Sequence, residues 1–86
     1  MRSIVFKPQA FEDYSHWASD NRKTYDKLMK LIVECAKHPF EGTGKPERLK
    51  HELAGCWSRR ITDEHRLVYQ VTDNEITIVS CKYHYS

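Results

Sequence analysis

Residues that fix structure through covalent or metal links are few in this 86-residue chain. The three cysteines, Cys35, Cys56 and Cys81, are odd in number and widely spaced, which excludes the disulfide framework of a small secreted fold. Neither CxxC nor HxxxH occurs among them and the five histidines, so the close ligand pairs of a zinc site are missing. Gly42 and Gly44 are not followed by GK[ST], which removes a phosphate-binding loop and disfavours nucleotide hydrolysis. No run approaches the ~20 apolar residues of a membrane span. The first 11 residues offer only Ile4, Val5 and Phe6 before Lys7 and Pro8, too little for a secretory core. A cytoplasmic protein that uses no metal is therefore expected, with no membrane partner.

What is present has ordinary globular proportions, 40% hydrophobic and 30% charged. A chain of this size makes one compact domain, 1–86, that buries only about 60% of the surface its unfolded form exposes. The net charge of +2 says little about nucleic acid by itself, because phosphate affinity depends on how many cations gather on one face.

Residues 3–7 form a short β-type run, and Pro8 suits the first turn of a helix. Phe11, Tyr14, Trp17 and Ala18 recur at helical steps until Ser19-Asp20-Asn21, where Asp20 or Asn21 can cap a second helix. Tyr25, Leu28, Met29, Ile32, Cys35 and Ala36 then form an apolar stripe that stops at His38-Pro39. Residues 39–55 read as a long loop that Leu49 and Leu53 anchor to the core. Strands follow at 56–62, 66–72 and 75–83, separated by Asp63-Glu64-His65 and the tight-turn pair Asp73-Asn74. The expected fold class is α+β, with an N-terminal strand and a helical hairpin packed on a curved, mainly antiparallel sheet.

Alternation along the strands sets Leu67, Tyr69, Val71, Cys81 and Tyr83 on one side, and Arg66, Val68, Gln70, Ser80, Lys82 and His84 on the other. If the helices cover the first side, Arg60, Arg66, Lys82 and His84 share the second, rimmed by Lys45, Glu47, Lys50 and His51. Such a cleft suits RNA transesterification, which needs a base for the 2′-hydroxyl, cations for the phosphate and an acid for the departing 5′-oxygen. Glu47 is a candidate base, and equally a solvated loop carboxylate. Arg59, Arg60 and Arg66 can clamp phosphate through planar donors, or line a wet sheet face. His84 suits the acid by its ordinary pKa near neutrality, or is an exposed terminal residue. Tyr85 either stacks on a base or packs against the sheet. Cys81 reads as a buried strand cysteine, not as a nucleophile.

The segment 39–47 (PFEGTGKPE), then Leu49-Lys50-His51, Trp57-Ser58-Arg59-Arg60-Ile61, Glu64-His65-Arg66-Leu67-Val68-Tyr69 and the terminal Tyr83-His84-Tyr85, resembles the YoeB family. That family belongs to the RelE/ParE superfamily of bacterial toxin-antitoxin modules, and the resemblance implies the RelE-like microbial RNase fold. It also implies a ribosome-dependent endoribonuclease, an mRNA interferase that cuts messenger in the ribosomal A site. The products implied are a 2′,3′-cyclic phosphate and a 5′-hydroxyl. By resemblance Glu47 matches the general base, Arg66 the residue on the scissile phosphate, His84 the general acid and Tyr85 the terminal tyrosine of the site. Lys50 and Arg60 fall where the family adds positive charge, and Lys45 and His51 join them by motif context. No cofactor is implied other than the 70S ribosome itself. The implied partners are that ribosome, its mRNA, a YefM-like antitoxin and a second copy in a homodimer. One departure is Ser86, which extends past the usual terminal tyrosine. Two other readings stay open: a non-enzymatic ParE-like toxin that binds DNA gyrase, and a plain RNA- or ribosome-binding protein.

Overall fold

The structure is a computed structural model that describes residues 1–83. Strand β1 (Ser3–Phe6) leads through Lys7 into helix α1 (Pro8–Asp20), with Pro8 in its first turn, where a missing N–H costs nothing. Helix α2 (Arg22–Lys37) starts at Asn21, whose side chain accepts the Thr24 N–H at 3.1 Å. After a loop come the two-residue β2 (Glu47–Arg48), a single 3-10 turn (His51–Leu53), and strands β3 (Trp57–Arg60), β4 (Arg66–Val71) and β5 (Glu75–Ser80). The sheet order is β1-β5-β4-β3-β2, with β1 parallel to β5 and the other pairs antiparallel. Two helices on one face of a five-stranded mixed sheet make the α+β fold that the patterning predicts.

The main core lies between helices and sheet, where Leu28, Leu31, Ile32 and Cys35 of α2 meet Leu67, Tyr69, Ile76 and Ile78. The helical stripes are rotated from the sequence expectation. In α1 the buried residues are Ala10, Asp13 and Trp17, while Phe11 is exposed; in α2, Thr24 and Leu31 go inward and Met29 faces out. Asp13 can be buried because its carboxylate is occupied, accepting from Gln9 Nε2 at 3.0 Å and from the Cys81 N–H at 3.2 Å. That bond also ends β5 three residues earlier than the alternation predicts. The Cys81 N–H goes to Asp13 and its carbonyl accepts the Trp17 indole N–H at 2.9 Å, so α1 takes the groups a longer ladder needs.

The opposite face is not wholly polar. Leu49, Cys56 and Val68, with Leu53 and Val79 beside them, form a second, smaller cluster under the loop. Leu49 and Leu53 therefore anchor the loop to this satellite core, and Val68 is buried on a side expected to be wet.

Candidate functional site

The strand register assembles the site. Glu47 pairs with Ser58, and Arg60 pairs with Arg66 across β3 and β4. Residues two apart on a strand share a face, so Glu47, Ser58, Arg60 and Arg66 all lie on the side away from the helices. The Glu47 row stands about 7 Å along the strands from the arginine row, within reach of long side chains. Like charges directly opposed across strands are unfavourable for folding, and a phosphate between them reverses that cost. Among the described residues, only Nη1 of Arg66 is engaged, donating to the Thr62, His65 and Asp63 carbonyls at 2.6, 3.1 and 3.2 Å. Those bonds fix the guanidinium at the β3–β4 turn.

Lys45, Lys50 and His51 are exposed on the loop around β2, as the expected rim. Lys45 and His51 adopt left-handed φ of 53° and 58°, a strained geometry that persists only where neighbours impose it. One neighbour is β3. The Gly44 carbonyl accepts the Arg60 N–H at 2.7 Å, and a Cβ on Gly44 would stand 2.9 Å from the Arg60 carbonyl oxygen. Only glycine permits that approach, which seats the loop on the sheet three residues before Glu47.

Arg59 is not on the face that carries Arg60 and Arg66. It faces the helices, fully buried, and all five of its N–H donors are occupied. Nε donates to the Tyr69 hydroxyl at 3.2 Å, Nη1 to Glu34 Oε1 at 3.1 Å and the Thr43 carbonyl at 3.2 Å, and Nη2 to the His38 and Glu41 carbonyls. Glu34 also accepts the Thr43 N–H at 2.7 Å. That backbone bond holds its carboxyl below the usual range; partial burial opposes the shift and the Arg59 charge reinforces it. Arg59 and Glu34 thus tie the loop to α2, a role that alternation alone signals, since Arg59 alternates with Arg60.

Lys82 also departs from expectation. Its ammonium lies 5.9 Å from the Trp17 ring centre and 5.2 Å from that of Tyr83, held by those rings and not by the arginine pair. His84 and Tyr85 lie outside the described residues. The chain reaches them from beside Arg66, whose backbone N–H donates to the Tyr83 carbonyl at 3.2 Å. Cys81 is fully buried and burial pushes its thiol up to about 12, as suits a core cysteine. Among the described residues, no three His, Cys, Asp or Glu side chains cluster as metal ligands would.

Residues 6–85 match the family of YoeB-like toxins of bacterial type II toxin-antitoxin systems. The chain belongs to the YoeB family. Toxin YoeB of Mycobacterium bovis is 52% identical over 85 residues, covering 99% of this chain and all of that protein. Toxin YoeB of Escherichia coli K12 is 48% identical over 82 residues, covering 95% and 98%. A YoeB–YefM complex from Staphylococcus aureus superposes with a TM-score of 0.89 at 51% identity, over 99% of both chains. A YoeB dimer from the same species gives 0.90 at 50%, over 98% of both. The fold extends to a RelBE2 complex of Mycobacterium tuberculosis, 19% identical with a TM-score of 0.75. As a YoeB toxin, the chain is the toxin component of a type II module.

Proposed function

We propose that this toxin is a ribosome-dependent endoribonuclease, an mRNA interferase that cuts messenger in the ribosomal A site and so stops translation. The observation that carries the reading is the register that brings Glu47 onto the same open sheet face as the opposed Arg60 and Arg66. In the proposed reaction Glu47 takes the proton of a 2′-hydroxyl, and the freed oxygen attacks the adjacent phosphorus. Arg66, with Arg60 beside it, stabilises the charge that builds on the phosphoryl oxygens. The bond from phosphorus to the 5′-oxygen breaks as His84 gives that oxygen its proton, leaving a 2′,3′-cyclic phosphate and a 5′-hydroxyl. Tyr85 completes the site, and Lys45, Lys50 and His51 hold flanking phosphates at its rim. The charges and protons balance within these residues, so the chemistry calls for no metal.

A net charge of +2 gives the isolated protein weak hold on RNA, and a ribosome that presents the messenger supplies the missing orientation. The partner that restrains it is a YefM-like antitoxin, by analogy with the S. aureus complex, and the dimer of that relative supports a homodimer here. The site of action is then the bacterial cytoplasm.

The test maps the ends of a defined messenger after incubation with the protein, with and without translating ribosomes. Ribosome-dependent cuts at A-site codons are expected, and the Glu47→Ala, Arg66→Ala, His84→Ala triple variant should abolish them. Loss of one general acid or base alone should slow cleavage by about 10²–10⁴-fold. Undiminished cutting by the triple variant refutes the assignment. Inhibition of DNA gyrase with no new RNA ends replaces it with a ParE-type binding toxin.

A further inference from the structure

His65 stands outside the catalytic roles assigned above, yet its Nδ1 accepts the Tyr83 backbone N–H at 2.7 Å. The next residue, Arg66, donates its own N–H to the Tyr83 carbonyl at 3.2 Å. The last residue of the β3–β4 turn and the first of β4 therefore hold both backbone polar groups of the last described residue. Tyr83 has φ of 63°, a left-handed conformation that a bulky residue keeps only when its surroundings impose it. The imidazole is itself held. Its ring centre lies 4.7 Å from that of Trp17 at 74°, and 5.6 Å from that of Tyr83, while the Trp17 indole is fixed by the Cys81 carbonyl. A ring nitrogen that accepts from an amide carries no proton, so Nδ1 is the acceptor side of the imidazole in this contact.

We propose that His65 is a positioning residue: its Nδ1 clamps Tyr83 and so fixes the point, beside Arg66, from which the segment bearing His84 and Tyr85 departs. The inference rests on the reading of His84 as the general acid. It makes the turn that orients the Arg66 guanidinium also the fastening for Tyr83, the residue that precedes the proposed acid in sequence.

The test uses the full chain and two variants. His65→Phe keeps the ring packing against Trp17 and removes the acceptor; His65→Asn loses the ring and returns an oxygen acceptor near the place of Nδ1. Hydrogen exchange at the Tyr83 amide and the kcat and KM of ribosome-dependent cleavage are measured for each. His65→Phe should speed Tyr83 exchange about 10-fold or more, and lower kcat by roughly 10–100-fold with KM little changed, the cost of a misplaced reacting group. His65→Asn should recover most of both. Unchanged Tyr83 exchange in His65→Phe overturns the proposal, as does equal impairment of the two variants or an equal rise in exchange at all amides. If wild-type protein makes no ribosome-dependent ends, the nuclease reading fails, while the exchange comparison still decides whether His65 clamps Tyr83.

Discussion

Replacing Arg59 by methionine should be among the most damaging single changes in the chain. Methionine fills a similar volume but leaves Glu34 charged and three carbonyls of the 38–43 loop without their donor. Breaking a buried pair by removing one partner costs about 3–5 kcal/mol. The Glu34 side chain keeps 31% exposure and can rehydrate, so the low end, about 3 kcal/mol, is expected. A domain of 86 residues has roughly 4–13 kcal/mol of total stability, so this is a large share. In thermal unfolding the midpoint should fall by about 12–24 °C. The double variant Arg59→Met, Glu34→Gln no longer strands a carboxylate and still accepts the Thr43 N–H, so its loss should be less than the sum of the two single losses. A fall of less than about 4 °C for Arg59→Met, or strict additivity in the double variant, would refute the account of Arg59 as the tie between loop and helix.

Gly44→Ala places a Cβ against the β3 backbone at a φ of 86°, and should cost about 1–3 kcal/mol in a urea titration while lowering cleavage, because the loop that delivers Glu47 must shift. Glu34 has its pKa lowered in the fold, so its contribution to stability is fully present above the unfolded carboxylate value of about 4.3 and is lost as pH falls through the lower folded value. Acid titrations of unfolding should accordingly show a shallower decline for Glu34→Gln than for wild type below that pH. Burial holds the Cys35 and Cys81 thiols up at about 11 and about 12, so at pH 8 a thiol reagent should leave both unmodified in native protein and label them on unfolding.

Much of the architecture was legible in the chain because it rests on local rules. Pro8 at the start of α1, Asn21 as the cap of α2 and Asp73-Asn74 as the β4–β5 turn are short-range signals, and each acts in the structure as its chemistry predicts. The errors arise where a polar group is satisfied from far away in sequence. No local pattern marks Asp13 for burial, because its partner at Cys81 is 68 positions distant. Arg59 reads as a phosphate clamp, and its partners come from α2, the following loop and Tyr69. Alternation contained the correction for Arg59, since a strand cannot turn both Arg59 and Arg60 to one face. For the site, Glu47, Arg60 and Arg66 were chosen by residue type and resemblance, and the register places them on one face. No pattern in the sequence singled out His65, because a histidine in a turn beside two acidic residues has no periodicity to betray what it holds.

The short β2 strand makes the spacing between Gly44 and Glu47 a molecular ruler. One end is fastened by the Gly44 carbonyl to Arg60, and the other by the Leu49 N–H to the Cys56 carbonyl at 2.9 Å. Between these fixed points the chain has no slack, and side chains alternate with a period of two. Inserting or deleting a single residue there would exchange Glu47 with Arg48, turning a carboxylate toward the Trp57 side and a guanidinium toward the face that carries Arg60 and Arg66. The length of that segment is thus as much a part of the candidate site as the identity of any residue in it.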